Sequence, residues 1–277
     1  MDRATRQAAQ QALAEGRAAV VVEVVDARGS APRAAGTRML VFADAAVGTI
    51  GGGHLELKAL QGARALLAGR DGAPRREHFP LGPALGQCCG GAVTLAYAPL
   101  TTDALARWSA PAPLFHLQLY GAGHVGRAIA TLLATLDVTV DWIDEREHEF
   151  PPLTTLGTAW PAHIRQVCVD VVEAEVRDAS LGAFYLVLTH EHELDLRITE
   201  AILKRGDFAY LGLIGSKTKR ARFLHRFEQR GVAPDAVARL TCPIGVEGVA
   251  GKQPEVLALA VVAQLLQALP ALPARPA

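Results

Sequence analysis

Chemistry-bearing side chains cluster in glycine-rich segments of this chain. Arg28-Gly29-Ser30-Ala31-Pro32-Arg33, followed by Gly36-Thr37-Arg38-Met39, sets arginines around a Gly/Pro loop, and guanidinium forks suit phosphate oxygens. A hairpin loop is the plainer reading of the same stretch. In Gly48-Thr49-Ile50-Gly51-Gly52-Gly53-His54-Leu55-Glu56 a strand runs into a triple glycine and then a helix with Glu56 in its first turn. Successive glycines let backbone approach a ligand closely. Leu85-Gly86-Gln87-Cys88-Cys89-Gly90-Gly91 carries adjacent thiols. Neighbouring cysteines do not make a CxxC redox pair, and a buried structural cysteine is the default. No nucleophile paired with a base is visible in these segments.

The turn Gly121-Ala122-Gly123-His124-Val125-Gly126 follows the apolar run 114–119 and precedes a helix with Val125, Ile129, Leu132, Leu133 and Leu136 on one face. A second strand, 138–143, leads directly to Asp144. Strand, glycines, helix, strand and acid in that order make the dinucleotide fingerprint: Gly121 for the tight turn, Gly123 for backbone approach to phosphate, Gly126 for close helix packing, Asp144 for a ribose hydroxyl. Arg146 stands where it could receive a 2′-phosphate, or be a plain surface arginine, so NAD and NADP both remain candidate ligands. Gly212-Leu213-Ile214-Gly215-Ser216-Lys217 is a second strand-to-helix turn, to which Lys217, Lys219 and Arg220 add positive charge. It reads equally as a glycine turn before a solvated helix face. Thr189-His190-Glu191-His192-Glu193-Leu194-Asp195 begins like the HxHxDH motif of metallo-β-lactamase-type hydrolases. Asp195 comes one place late and Leu196 stands where a histidine is needed, so we expect His190 at a strand end facing the crevice and Asp195 at a helix start.

The elements that must hold these residues divide into two groups. A short helix to about Ala14, a strand over 18–25, a hairpin of 39–42 with 46–50, a helix over 54–67 and strands near 76–79 and 92–97 form an α+β unit. The proline-dense Trp108-Ser109-Ala110-Pro111-Ala112-Pro113 reads as a linker. Beyond it, strands at 114–119, 138–143, 184–188 and 208–214 alternate with helices, the order of a doubly wound parallel sheet. Pro254 opens the last helix. The expected fold class is α/β: a C-terminal Rossmann-like doubly wound parallel sheet (114–277), a linker (105–113) and a smaller N-terminal α+β domain (1–104).

Composition narrows the partners. Of 277 residues, 28 are basic and 28 acidic, so no long-range positive field draws the protein to nucleic acid or anionic lipid. Four cysteines in a chain of this length are no disulfide framework, which points to a reducing compartment. Residues 1–16 are polar and Ala/Gln-rich without a signal-type apolar core, and no stretch reaches the length of a membrane span. The expectation is a cytoplasmic protein with neither nucleic-acid nor membrane partners.

The motifs GSAPR, GTIGGGHLE, LGQCCGG, LYGAGHVG, LTHEHELD, LGLIGSKTKR and CPIGVEGVAGKQPEVLALAVVAQLL occur in an order that resembles the XdhC/CoxI family of xanthine dehydrogenase accessory proteins. The resemblance runs from about Val21 to Leu266. It implies a chaperone of purine catabolism, not an enzyme, that binds molybdenum cofactor (molybdopterin) and holds it during sulfuration by a cysteine desulfurase. The loaded cofactor then passes to apo xanthine dehydrogenase. It also implies a homodimer. Carried onto this chain, it makes Cys89 the candidate contact to molybdenum, a thiolate being a soft ligand, with Cys88 as alternate. Ser30, Arg33, Gly52, Gly53 and Glu56 become candidates for the pterin and its phosphate. Gly121, Gly123, Gly126, Asp144 and His190 become the crevice that takes a nucleotide or the same cofactor. Cys242 in Cys242-Pro243-Ile244-Gly245 is expected to end a strand.

Two other readings compete. One is an NAD(P)-dependent oxidoreductase using the Rossmann domain, with His190 or His124 as proton donor. The other is a scaffold that joins desulfurase to dehydrogenase and predicts partner binding without retained cofactor.

Overall fold

The computed structural model describes residues 3–69, 74–81, 91–108 and 112–269. The chain divides into two compact units with the boundary between Ala112 and Pro113.

In the first unit, the β-branched run of β1 (Val20–Arg28) takes the centre of an antiparallel sheet. It pairs with β2 (Arg38–Val41) and β5 (Ala92–Pro99), while β3 (Ala46–Val47) and β4 (Arg75–Pro80) form the edges. Alternation along β1 sorts side chains onto two faces. Val20, Val22 and Val24 meet Leu55, Ala59, Ala63 and Leu66 of α2 (Gly53–Leu67). Val21 meets Ala9 and Ala12 of α1 (Arg3–Ala14), together with Leu105 and Trp108. The short α3 (Thr102–Ala106) delivers Leu105, so the start of the stretch expected as linker is core, because it shields the second face of the sheet. The hairpin strand expected over 46–50 stops at Val47, since Gly48 adopts φ 83° and turns the chain toward the glycine triplet.

The second unit is a six-stranded, wholly parallel sheet in the order β8-β7-β6-β9-β10-β11. These strands are β6 (His116–Tyr120), β7 (Thr139–Asp144), β8 (Ile164–Cys168), β9 (Phe184–Val187), β10 (Tyr210–Leu213) and β11 (Leu240–Thr241). In chain order this is the Rossmann sequence 3-2-1-4-5-6, whose direction reverses between β6 and β9. Strands β9 and β10 are buried along their length, as expected of a sheet covered on both faces. Helices α4 (His124–Leu133) and α8 (Pro254–Gln267) cover one face over Leu119, Trp142 and Leu186. Helices α5 (His192–Arg205), α6 (Lys217–Gln229) and α7 (Pro234–Ala238) cover the other over Tyr185, Val187 and Leu211. Edge strand β8 was not expected from sequence: of its residues only Ile164 is buried, so it lacks an apolar signal.

Candidate functional site

In the first unit, the arginine loop and the triple glycine come together. A Cβ on Gly51 would lie 2.5 Å from Pro32 Cβ and 3.7 Å from Arg33 Cγ, so the loop after β1 lies directly on the glycine turn. A Cβ on Gly91 would meet the carbonyl oxygens of Arg28 at 2.4 Å and Ser30 at 2.8 Å. The end of the Cys-Gly-Gly segment is thereby seated on the same loop. Cys88 and Cys89 themselves lie outside the described residues. Ser30 and Arg33 are exposed. Gly52 and Gly53 take φ 75° and 63°, with Gly52 as N-cap of α2, which a residue with a Cβ adopts only under strain.

Glu56 closes that turn. Its Oε2 accepts from Thr49 Oγ1 (2.5 Å), Ile50 N–H (3.1 Å) and Gly52 N–H (3.1 Å). A carboxylate in the first helical turn is favoured by the helix dipole and satisfies N-terminal amides. That oxygen therefore shapes the glycine turn, a role the sequence did not reveal. Arg33 is exposed on the loop that lies against this turn.

In the second unit, the predicted residues converge on the carboxyl edge where the sheet reverses. A Cβ on Gly121 would sit 2.3 Å from Leu188 O, and one on Gly126 would sit 2.0 Å from Gly121 O. Strand β6, the chain after β9 and helix α4 thus approach to backbone contact, which only glycine permits. Gly123 caps α4 and has open space where a Cβ would be. That is the gap a phosphate needs. The turn is anchored from below by Trp142 Nε1–H donating to Gly121 O (3.0 Å) and by Ala122 N–H donating to Asp144 Oδ2 (2.6 Å).

Asp144 and Arg146 face each other. Oδ1 accepts from Arg146 N–H and Nε–H, both at 2.9 Å, and Oδ2 accepts from Arg146 Nη2 at 2.9 Å. Arg146 also reaches Glu149 Oε1 at 3.3 Å. Burial pushes the Asp144 carboxyl pKa up, and the bonds from Arg146 and Ala122 outweigh it, so the net shift is downward. The turn therefore fits a phosphate group, whereas the acid that a dinucleotide's ribose uses is already engaged.

The histidine-rich segment turns its side chains to different partners. His190 Nε2 lies 3.7 Å from Glu145 Oε1, and His192 Nδ1 lies 3.1 Å from Arg222 Nη2. Asp195, in the first turn of α5 as expected, accepts from Thr189 N–H (2.9 Å), Thr189 Oγ1–H (2.7 Å) and Lys219 Nζ (2.5 Å). Lys219 also donates to Ile214 O at 2.8 Å. Lys219 fits neither expectation, positive charge for an anion at the turn or a solvated helix face: it is buried, because Lys219, Phe223 and Phe227 form the inward stripe of α6, and its ammonium is spent on Asp195 and Ile214 O. Cys242 follows β11 and is buried, which raises its thiol pKa. Among the described residues no cluster of three or more His, Cys, Asp or Glu could hold a metal ion, and no helix is long and apolar enough to cross a membrane.

Comparison with known proteins bears on both units. The family model for the XdhC Rossmann domain matches residues 117–265, and that for the XdhC and CoxI family matches residues 3–80. The chain belongs to the XdhC and CoxI family. The Escherichia coli K12 protein YqeB, described as uncharacterized, is 33% identical over 258 residues, which are 88% of this chain and 42% of YqeB. The chain thus spans less than half the length of that curated relative. A Bacillus halodurans crystal structure described as a xanthine dehydrogenase matches with a TM-score of 0.73 over 96% of this chain and 95% of that one, at 20% identity. That likeness shows a shared fold. The Rossmann-like XdhC domain accounts for the parallel sheet, with the antiparallel sheet as a separate N-terminal unit.

Proposed function

We propose that this chain is an accessory protein in the maturation of a xanthine dehydrogenase. In this reading it binds molybdenum cofactor, holds it while a cysteine desulfurase sulfurates the molybdenum, and delivers it to the apo-dehydrogenase in the cytoplasm as a homodimer. The observation that carries the reading is XdhC and CoxI family membership over both units. The convergence of the Ser30–Arg33 loop, the glycine triplet and Gly91 supports it with a surface suited to a phosphorylated pterin.

Each residue has a task that follows from its chemistry. Arg33, exposed at that surface, offers a guanidinium fork to the cofactor's phosphate. Gly52 and Gly53 let backbone come close without side-chain obstruction, and Glu56 holds them in place. Cys89, with Cys88 as alternate, offers a soft thiolate to molybdenum or its sulfur.

The test is to incubate purified protein with molybdenum cofactor released from a denatured molybdenum hydroxylase, remove free ligand by gel filtration, and assay bound pterin and molybdenum. Retention by the wild type that falls in Cys89→Ala and Arg33→Ala, with folding intact, is expected. Absence of retention in the wild type would overturn the reading. An NAD(P)-dependent oxidoreductase is the competing reading, favoured by the glycine turn at the point where strand order reverses. Steady NAD(P)H oxidation with a defined substrate would carry it, and cofactor insertion without turnover would remove it.

A further inference from the structure

An ionised carboxylate has about four lone-pair positions on its two oxygens. Asp144 meets four N–H donors: Arg146 N, Arg146 Nε, Arg146 Nη2 and Ala122 N, at 2.6 to 2.9 Å. The Asp144 side chain is 3% exposed. Dinucleotide-binding Rossmann units use the acid at this position to accept the hydroxyls of a ribose diol. Here that capacity is filled from within the chain.

We infer that Arg146 is a specificity-determining residue that withholds Asp144 from the ribose, so that the crevice does not read an adenosine diol. The open space at Gly123 is left intact while the adjoining selector is closed. The fork geometry explains why arginine does this. Its backbone N–H, Nε and Nη2 all reach one carboxylate from two residues away, an arrangement that a lysine ammonium cannot reproduce. Arg146 is also withheld from a 2′-phosphate, because moving it there would leave a buried carboxylate beside a second anion. Glu149, at 3.3 Å from Nη1, adds a further hold. This inference is independent of cofactor binding by the first unit.

The experiment titrates the full chain with NADH and NADPH, read by nucleotide fluorescence, in the wild type, Arg146→Met, Arg146→Lys and Arg146→Met/Asp144→Asn. Thermal unfolding establishes that each variant is folded. Arg146→Met removes the fork and the charge, and Arg146→Lys keeps the charge without the fork, so one folded variant suffices. NADH is expected to bind about tenfold or more tightly to the single variants than to the wild type, the scale of a charge-assisted hydrogen bond. Asp144→Asn should cancel that gain. No gain in a folded variant overturns the inference. NADPH binding by the wild type that is lost in Arg146→Met also overturns it, since the fork would then serve the ligand and not Asp144.

Discussion

The Lys219 ammonium lies 2.5 Å from Asp195 Oδ2, with the two side chains 8% and 1% exposed, and this pair ties together two of the turns at the carboxyl edge of the Rossmann sheet. Asp195 holds the turn after β9 through Thr189. Lys219 holds the turn after β10 through Ile214 O. A charged pair so far from water is stable only because each partner compensates the other.

Lys219→Met should therefore destabilise the second unit by about 3–5 kcal/mol, the usual effect of leaving a buried charge alone. Lys219→Met/Asp195→Asn should recover a large part of that loss, since asparagine keeps an oxygen for Thr189 and carries no charge. Urea unfolding of both single variants and the double variant measures the coupling. Additive losses would show that the two side chains act separately.

Two glycines of the same turn should respond unequally. Alanine is a better helix former than glycine by about 1 kcal/mol, so propensity alone predicts that Gly126→Ala stabilises α4. The Cβ would lie 2.0 Å from Gly121 O, an oxygen already held by Trp142, and backbone cannot yield cheaply there. We expect the clash to win, with a net loss of roughly 2–3 kcal/mol. Gly123→Ala meets open space at φ −70° and should change stability by less than about 1 kcal/mol. Thermal unfolding of the pair decides it; equal losses would refute the close-packing role of Gly126.

Much of this was readable from residue order. The GxGxxG turn between two apolar runs, with Asp144 at the next strand end, locates the switch point because each glycine answers a separate steric demand. Pro254 and the Gly53–Leu67 helix follow from local rules. What escaped depends on partners distant in sequence. Strand β8 is an edge, with Arg165, Gln166 and Cys168 exposed, and carries no apolar alternation. Lys219 looks like surface charge until its spacing to Phe223 and Phe227 is noticed. Arg146 stands out in the sequence beside Asp144, yet that its fork turns back onto Asp144 emerges only from the folded turn. Glu56 reads as a helix-start acid, and its grip on Thr49 and Gly52 appears only once the glycine turn is folded.

Acid stability offers a further test through Asp141 on the middle of β7. Its Oδ2 lies 3.0 Å from His116 Nε2 on β6, and its Oδ1 accepts from Arg165 Nε on β8 at 2.8 Å. Burial pushes this carboxyl pKa up, but the bonds to His116 and Arg165 prevail and hold it at about 2. A folded-state pKa below the unfolded value means stability that is fully present above about pH 4 and is lost as pH falls through about 2. The depression from the ordinary aspartate value corresponds to roughly 2 kcal/mol at neutral pH. Asp141→Asn removes the titrating charge, so the wild type should exceed it by roughly that amount at pH 6 and by less than half as much near pH 2.5. Comparing the two proteins at each pH cancels the other carboxylates. A stability difference that stays constant across this range would mean that Asp141 acts through packing and neutral hydrogen bonds and not through its charge.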